Sequence, residues 1–353
     1  MAKDIKTYYE QLYIDNTLRL REILYTLPVF VRDYFRVIEP STSSKTRISY
    51  AYDLRVFFNY LIESNPRFRN YNTAQFTLEE FECIESGDLE EYLEYLKVYI
   101  SQHDKQVTNT ERGRARKFSA LCSLYRYLYK HKHISQNPSV FVDKPKIHDK
   151  AIIRLDVDEV AMLLDYVEDC GHQLTGQKRV YYDKTRTRDL AILTLLLGTG
   201  IRVSECVGLD INDVDFKNNG IKVTRKGGNE MVVYFGDEVR DALENYLETT
   251  RAAATPLPSH ENALFLSTQR KRMGVQAVEN MVKKYARQVT PNKKITPHKL
   301  RSTYGTNLYK ETGDIYLVAD VLGHKDVNTT RKHYAAIDED RRRQAASAVK
   351  LRE

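Results

Sequence analysis

The sequence contains no tryptophan and few cysteines, and the cysteines are far apart. They are Cys83, Cys122, Cys170 and Cys206. This scatter matches neither a disulfide framework nor a CxxC metal site. No apolar run is long enough to cross a bilayer, which argues against a membrane span. The first residues also lack the apolar segment of a secretory signal, so we expect a cytoplasmic protein.

A length of 353 residues suits two domains, and an apolar share of 42% is enough to form a core in each. The net charge of +7 weakly favours a polyanionic partner such as nucleic acid. Basic residues concentrate between Lys105 and Lys132, either as a solvated helix face or as a DNA-binding surface. The candidate DNA-binding residues are Lys45, Arg47, Arg112, Arg114, Arg116 and Lys117.

The first part of the chain has helical periodicity. Apolar stripes run over 50–61 and 118–129, and an earlier helix over 18–38 is interrupted near Pro28. Thr77 and Glu80 have the spacing of a capping box, opening a helix that continues or restarts through 89–100. Asn137-Pro138 ends the last helix of this part. We therefore predict a helical domain over 1–137, a linker over 138–152 and a second domain over 153–353.

The second part is predicted to be mainly helical with one small β-hairpin. A helix starts near Asp156, and a buried helix over 190–197 ends at Gly198-Thr199-Gly200. The runs 221–225 and 231–235, joined by a Gly-rich turn, predict the hairpin. Beyond it the pattern indicates helices to the end, one of them starting at Pro297 after Thr296.

Two arginines stand where burial is expected. Arg202 follows the buried helix almost directly and cannot lose its charge, so it needs an anionic partner. Glu205 is one candidate, as an internal ion pair, and a bound anion is another. His298 and Arg301 lie one helical turn apart and would suit a phosphate, although a capping histidine beside a surface arginine is the plainer alternative.

Three further residues complete an ordered set: Lys226 in the hairpin turn, His324 in Leu322-Gly323-His324, and Tyr334 ten residues later. Each is unremarkable alone. The whole series (Arg in GTGIRVSE, the hairpin Lys, H-x-x-R, L-G-H, Tyr) resembles the tyrosine recombinase, or phage integrase, family. The motifs VTRKGG and ITPHKLR are most similar to the Xer-type single recombinase of streptococci and lactococci.

Three features depart from the Xer pattern. The nucleophile there usually follows the LGH histidine by nine residues, where this chain has His333. Tyr334 has the spacing that integrases of mobile elements also show. Ala335-Ala336 replaces the usual ending after the tyrosine, and Ser302 replaces the more usual His. The alternatives are therefore Xer-like chromosome dimer resolution and transposon or phage integration. A type IB topoisomerase and an inactive DNA-binding regulator are further alternatives.

The resemblance implies a two-domain architecture, with a helical core-binding domain and an α-rich catalytic domain that clamp duplex DNA. It also implies a chemistry in which Tyr334 attacks the scissile phosphate and stores the bond as a 3′-phosphotyrosine. The arginines would stabilise the phosphate, His298 and His324 would assist, and Lys226 would protonate the leaving oxygen. Strand exchange would pass through a Holliday junction. We expect no metal or other cofactor, no membrane partner, a nucleoid-associated location and a homotetramer on two DNA sites.

The tail after Tyr334 has acidic residues before basic ones, which favours a helix, and Ala345, Ala348 and Val349 share one face. A surface helix packed on its own domain is one interpretation. The family resemblance favours a C-terminal exchange helix that docks on a neighbouring subunit.

Overall fold

The computed structural model describes residues 7–101, 104–148, 153–225, 228–323 and 327. The chain divides into two compact units, Met1–Lys150 and Ala151–Glu353. In the described part, helices dominate both units and the strands are short. This confirms the predicted mainly helical fold with a small sheet. None of the described helices is both long enough and apolar enough to cross a membrane.

The first unit is built from six helices in its described residues. They are α1 (Tyr8–Tyr25), α2 (Val29–Val37), α3 (Ser44–Ser64), α4 (Leu78–Glu82), α5 (Ser86–Tyr95) and α6 (Glu111–Lys130). Pro28 is the N-cap of α2, so the predicted interruption is confirmed. Thr77 and Glu80 form the predicted capping box at α4. Phe57, Phe81 and Tyr125 pack in the aromatic core that these helices share.

Two details of the first unit differ from the prediction. The helix does not run on to residue 100, because β1 (Val98–Ile100) pairs with β2 (Gln106–Thr108) in an antiparallel ribbon. The predicted linker also begins as part of the unit, since Pro138–Val140 is a 3-10 turn and Val142 is buried in the same core.

The second unit begins with helices that lead to a three-stranded sheet. α7 (Val157–Asp169) is capped by Asp156, and α8 (Gly176–Thr199) ends at Gly200 in the left-handed conformation with φ 64°. α9 (Val203–Gly208) follows directly. β3 (Val214–Asp215), β4 (Gly220–Thr224) and β5 (Glu230–Tyr234) form an antiparallel sheet in that order. The predicted hairpin is therefore confirmed.

Four more helices complete the described part of this unit. They are α10 (Asp237–Tyr246), α11 (Val275–Val289), α12 (Pro297–Thr312) and α13 (Ile315–Leu322). A π-helical turn, Leu247–Arg251, extends α10. The prediction of helix was wrong for the residues between this turn and α11, because Pro256 and Pro258 break the helical pattern. α8 packs against α7, α10 and α12, so the predicted buried segment is the centre of this unit.

Candidate active site

Arg202 is oriented by a carboxylate at the start of α9. It is the N-cap residue of this helix, and its Nη1 donates to Glu205 Oε1 at 2.8 Å. The other carboxylate oxygen of Glu205 accepts from the Arg202 backbone N–H at 2.8 Å. The Glu205 side chain is only 4% exposed, whereas that of Arg202 is 37% exposed. The predicted internal ion pair is therefore present. It fixes the orientation of the Arg202 guanidinium, which remains in contact with solvent.

Arg301 is held by backbone carbonyls. It lies in the first turns of α12, which starts at Pro297 after Thr296 as predicted. Its Nη1 donates to Gly200 O at 2.5 Å and its Nη2 to Leu322 O. The residue is buried, 5% exposed. His298, one turn earlier, is exposed, so the two side chains differ sharply in their contact with solvent.

The C-terminal turn of α13 brings the two arginines together. Arg301 bonds to the carbonyl of Leu322, and Nη2 of Arg202 lies 3.4 Å from the carbonyl oxygen of Gly323. Gly323 ends α13 in the left-handed conformation with φ 63°. Carbonyls at a helix C-terminus carry partial negative charge, so they suit cationic donors. Arg202 and Arg301 therefore contact consecutive peptide groups, directly before position 324.

The β4–β5 hairpin contributes a third arginine to the same turn. Nη2 of Arg225 donates to Val321 O at 2.7 Å, and Nη1 lies 3.4 Å from Asp320 O. Burial lowers the pKa of the Arg225 guanidinium, and the charge of Arg202 lowers it further. The sequence prediction missed this residue as a member of the site. The available signal was its position immediately before Lys226.

Several predicted residues lie outside the described part of the chain. These are Lys226, His324 and Tyr334, together with the tail helix that contains Ala345, Ala348 and Val349. Their roles remain predictions. The described neighbours on either side of Lys226 form a tight turn, in which the Arg225 N–H donates to Asn229 O at 2.7 Å.

The candidate DNA-binding residues of the first unit separate into two groups. Arg47 is buried; its Nη2 lies 3.1 Å from Glu39 Oε1, and Nη1 donates to Glu39 O at 2.9 Å. Arg116 pairs with the buried carboxylate of Asp53, and Lys117 Nζ lies 3.7 Å from the same group. Burial raises the pKa of the Asp53 carboxyl, and the positive charges of Arg116 and Lys117 oppose this rise. Arg47 and Lys117 are therefore engaged inside the unit, whereas Arg116 is bound to Asp53 but keeps 49% of its side chain exposed.

The other three candidates are not held by a buried carboxylate of the described residues in this way. Lys45 and Arg112 are exposed, and Arg114 is half-buried. Arg112 and Arg114 both belong to the first turn of α6, close to its N-cap Thr110. The first unit therefore does not present all six residues as one surface.

The described residues contain no group of three or more His, Cys, Asp or Glu side chains arranged to hold a metal ion. The four cysteines are free thiols, three of them buried.

Comparison with known proteins identifies the family. Residues 153–341 match the phage integrase family, a span of more than half of the chain. The chain therefore belongs to this family, and it is a tyrosine recombinase.

Two individual relatives are similar in sequence to this protein over most of its chain. The tyrosine recombinase XerC of Caldanaerobacter subterraneus subsp. tengcongensis is 31% identical, covering 89% of this chain and 84% of that protein. The tyrosine recombinase XerS of Streptococcus thermophilus is 30% identical, covering 92% of this chain and 96% of that protein.

Solved structures share the fold. The integrase of transposon Tn1549, in complex with circular intermediate DNA, matches with a TM-score of 0.61 at 19% identity, covering 87% of this chain and 95% of that one. The XerH recombinase bound to palindromic difH substrate matches with a TM-score of 0.59 at 18% identity, covering 82% of this chain and 75% of that one.

Proposed function

We propose that this tyrosine recombinase cuts and rejoins duplex DNA at a specific site, with Tyr334 as the nucleophile. The observation that carries the proposal is the convergence of Arg202 and Arg301 on the carbonyls of residues 322 and 323. Two guanidinium groups fixed side by side are suited to the oxygens of a phosphodiester. His324 follows this turn directly in the chain, and Tyr334 follows ten residues later.

The proposed chemistry is an in-line displacement at phosphorus. The hydroxyl oxygen of Tyr334 attacks the scissile phosphate, the bond to the 5′-oxygen breaks, and a 3′-phosphotyrosine forms. Negative charge that builds on the non-bridging oxygens is stabilised by the two arginines, which Glu205 and the carbonyl oxygens hold in place before the reaction. Prepositioned charge is effective because nothing must reorient during the step.

Proton transfer completes the step. The nucleophile loses a proton, which His298 helps to remove, and Lys226 supplies one to the departing 5′-oxygen. His324 donates a hydrogen bond to the phosphate. Religation is the reverse reaction with a new 5′-hydroxyl, so the bond energy is conserved and strand exchange passes through a Holliday junction. The cationic side chains supply the charge stabilisation in this scheme, and no cofactor is part of the proposal.

The proposed partner is a double-stranded DNA recombination site, bound by four copies of the chain on two sites. Lys45, Arg112 and Arg114 are the contacts that we retain for the first unit, because their side chains reach solvent. Arg47 and Lys117 would support the unit from inside, and Arg116, although exposed, is held by Asp53. Phosphate contacts of this kind give affinity and salt dependence, and base contacts give the choice of site.

We propose Xer-like chromosome dimer resolution, in the cytoplasm and on the nucleoid, as the biological role. The relatives named XerC and XerS support this role. The spacing of Tyr334, ten residues after His324, favours a second candidate, the integrase of a mobile element. Sequencing of the DNA that the protein binds in cells distinguishes a single chromosomal site from the ends of an element.

Covalent trapping tests the nucleophile. On a nicked suicide substrate, the wild-type chain should form an adduct that survives a denaturing gel, because the cleaved flank diffuses away. Tyr334→Phe should bind the same DNA and form no adduct. An adduct in this variant, or one that maps to Tyr309 or Tyr316, would contradict the assignment.

A further inference from the structure

Arg225 joins two parts of the second unit that are distant in sequence. Its backbone N–H donates to Asn229 O, and its carbonyl accepts from the Gly228 N–H at 3.0 Å. It is therefore the last paired residue before the tip of the hairpin. Its side chain reaches Asp320 O and Val321 O at the C-terminal end of α13, 95 and 96 residues away. One residue thus contacts both segments that lead into candidate catalytic positions.

The contact requires a glycine at position 323. A Cβ built on Gly323 would overlap the guanidinium of Arg225, since it would lie far inside the van der Waals radii of Nη1 and Cζ. The positive φ of Gly323 alone would tolerate an asparagine at some cost. A side chain at position 323 would displace the Arg225 guanidinium from this place. The guanidinium therefore lies close to the backbone of the turn as well as bonding to it.

The polar atoms of Arg225 are directed at the protein. Both Nη atoms face carbonyl oxygens, and Nε is buried without a hydrogen-bond partner among the described residues. Arg202 and Arg225 are both half-buried, but Arg202 has the carboxylate of Glu205 as its main partner. Arg202 and Arg301 take the carbonyls of residues 323 and 322, and Arg225 takes those of 321 and 320. Arg225 differs from Arg202 and Arg301 in its place in the chain, because it alone of the three belongs to the hairpin and so connects the hairpin to the turn.

We propose that Arg225 is a positioning residue that fixes the hairpin tip carrying Lys226 against the turn that precedes His324. The inference rests on the proposed function, because it assigns Arg225 a task through Lys226. A proton donor works only within hydrogen-bond reach of the leaving oxygen, so a hairpin tip released from α13 delivers the proton poorly. A displacement of about 1 Å can cost on the order of 100-fold in rate.

The test compares two leaving groups on the full-length chain. A nicked substrate with a 5′-bridging phosphorothiolate needs no proton, because the sulfur leaves as a thiolate. Arg225→Ala should cleave the ordinary substrate roughly 10–100-fold more slowly than wild type and recover most of this loss on the sulfur substrate. Lys226→Ala should show the same pattern. Lys222→Ala is the matched control: the same hairpin loses an exposed lysine, 51% exposed, and both rates should stay at the wild-type value.

Arg225→Lys is the conservative variant, included in case Arg225→Ala does not fold. It keeps the positive charge, but one ammonium group cannot serve both carbonyls as the fork does, so a smaller loss with the same sulfur rescue is expected. Single-site gel shifts and far-UV circular dichroism should match wild type for both Arg225 variants. If sulfur rescues Lys226→Ala but Arg225→Ala loses equally on the oxygen and sulfur substrates, the proposal is overturned, since Arg225 would then act in charge stabilisation or in the fold.

Failure of the Lys226 assignment is a separate outcome. If the sulfur substrate rescues neither Lys226→Ala nor Arg225→Ala, the general-acid role of Lys226 is wrong. The double variant Arg225→Ala/Lys226→Ala then tests whether Arg225 acts through Lys226. A double variant no slower than Lys226→Ala supports action through the neighbouring residue. Additive losses would refute it.

Discussion

Replacement of Gly200 by alanine should disturb the position of Arg301 and, through it, the site that Arg301 shares with Arg202. Gly200 ends α8 at φ 64°, and its carbonyl accepts from Arg301 Nη1 at 2.5 Å. A Cβ at this position would overlap the ring of Tyr304 and lie 3.0 Å from Leu322 Cδ2. Leu322 is also the residue whose carbonyl accepts from Nη2 of Arg301. Both carbonyls that hold Arg301 are therefore affected by one added methyl group.

The expected loss of stability has two parts. A non-glycine residue in the left-handed conformation costs roughly 1–2 kcal/mol. Overpacking of a well-filled site costs about 1–3 kcal/mol more. Gly176→Ala isolates the first part, because Gly176 has φ 56° and its Cβ would meet no described atom within 4 Å. Gly200→Ala should thus unfold roughly 2–12 °C below Gly176→Ala, at about 2–4 °C per kcal/mol for a unit of this size.

The assays are thermal unfolding of the full chain and adduct formation on the nicked substrate. Well below its melting temperature, Gly200→Ala should form the adduct on the order of 10–100-fold more slowly than wild type, because Arg301 loses its fixed position. Gly176→Ala should cleave at the wild-type rate. Equal melting temperatures for the two variants, or normal cleavage by Gly200→Ala, would refute the reasoning.

Three more variants test the remaining assignments. Arg112→Ala should reduce the slope of log affinity against log salt concentration by about one phosphate contact. Arg47→Ala should leave that slope unchanged and lower the free energy of unfolding by about 1–3 kcal/mol, because hydrogen bonds to Glu39 are lost. Filter binding measures the salt dependence and urea titration measures the free energy of unfolding. A changed slope for Arg47→Ala and a loss of stability for Arg112→Ala would contradict the assignment of Arg112 to DNA and Arg47 to the fold. A chain truncated after Asp340 should bind a single site almost normally and form fewer tetramers on paired sites. Native gels and mass photometry measure this, and wild-type tetramers from the truncated chain would exclude a subunit link.

Local chemistry explains which features the sequence predicts well. The capping residues Thr77 and Asp156 and the helix start at Pro297 lie where expected, because each acts within one turn of its own helix. The Arg202–Glu205 pair follows in the same way from a spacing of three residues. The strand Val98–Ile100 was missed because its partner, Gln106–Thr108, determines its conformation.

The arrangement around residues 320–323 could not be predicted in this way. Arg202, Arg225 and Arg301 look alike in the sequence as basic residues near suggestive motifs. Which of these arginines binds a carbonyl oxygen, which binds a carboxylate and which reaches solvent depends on tertiary contacts. Arg47 shows the same limitation in the first unit, where only burial separates it from Lys45. The roles of Lys226, His324 and Tyr334 remain predictions from the family pattern.

The convergence of three arginines on one turn also bears on how the protein matures. The contacts of Arg202 and Arg225 with the turn join positions 121 and 96 residues apart, and Arg301 also bonds to Gly200, 101 residues away. Contacts between such distant positions form late, after the cost of closing long loops has been met. A nascent or partly unfolded chain, even with its local helices in place, therefore does not yet bring the three arginines together. The proposed cleavage of DNA by this site therefore depends on the complete fold of the second unit.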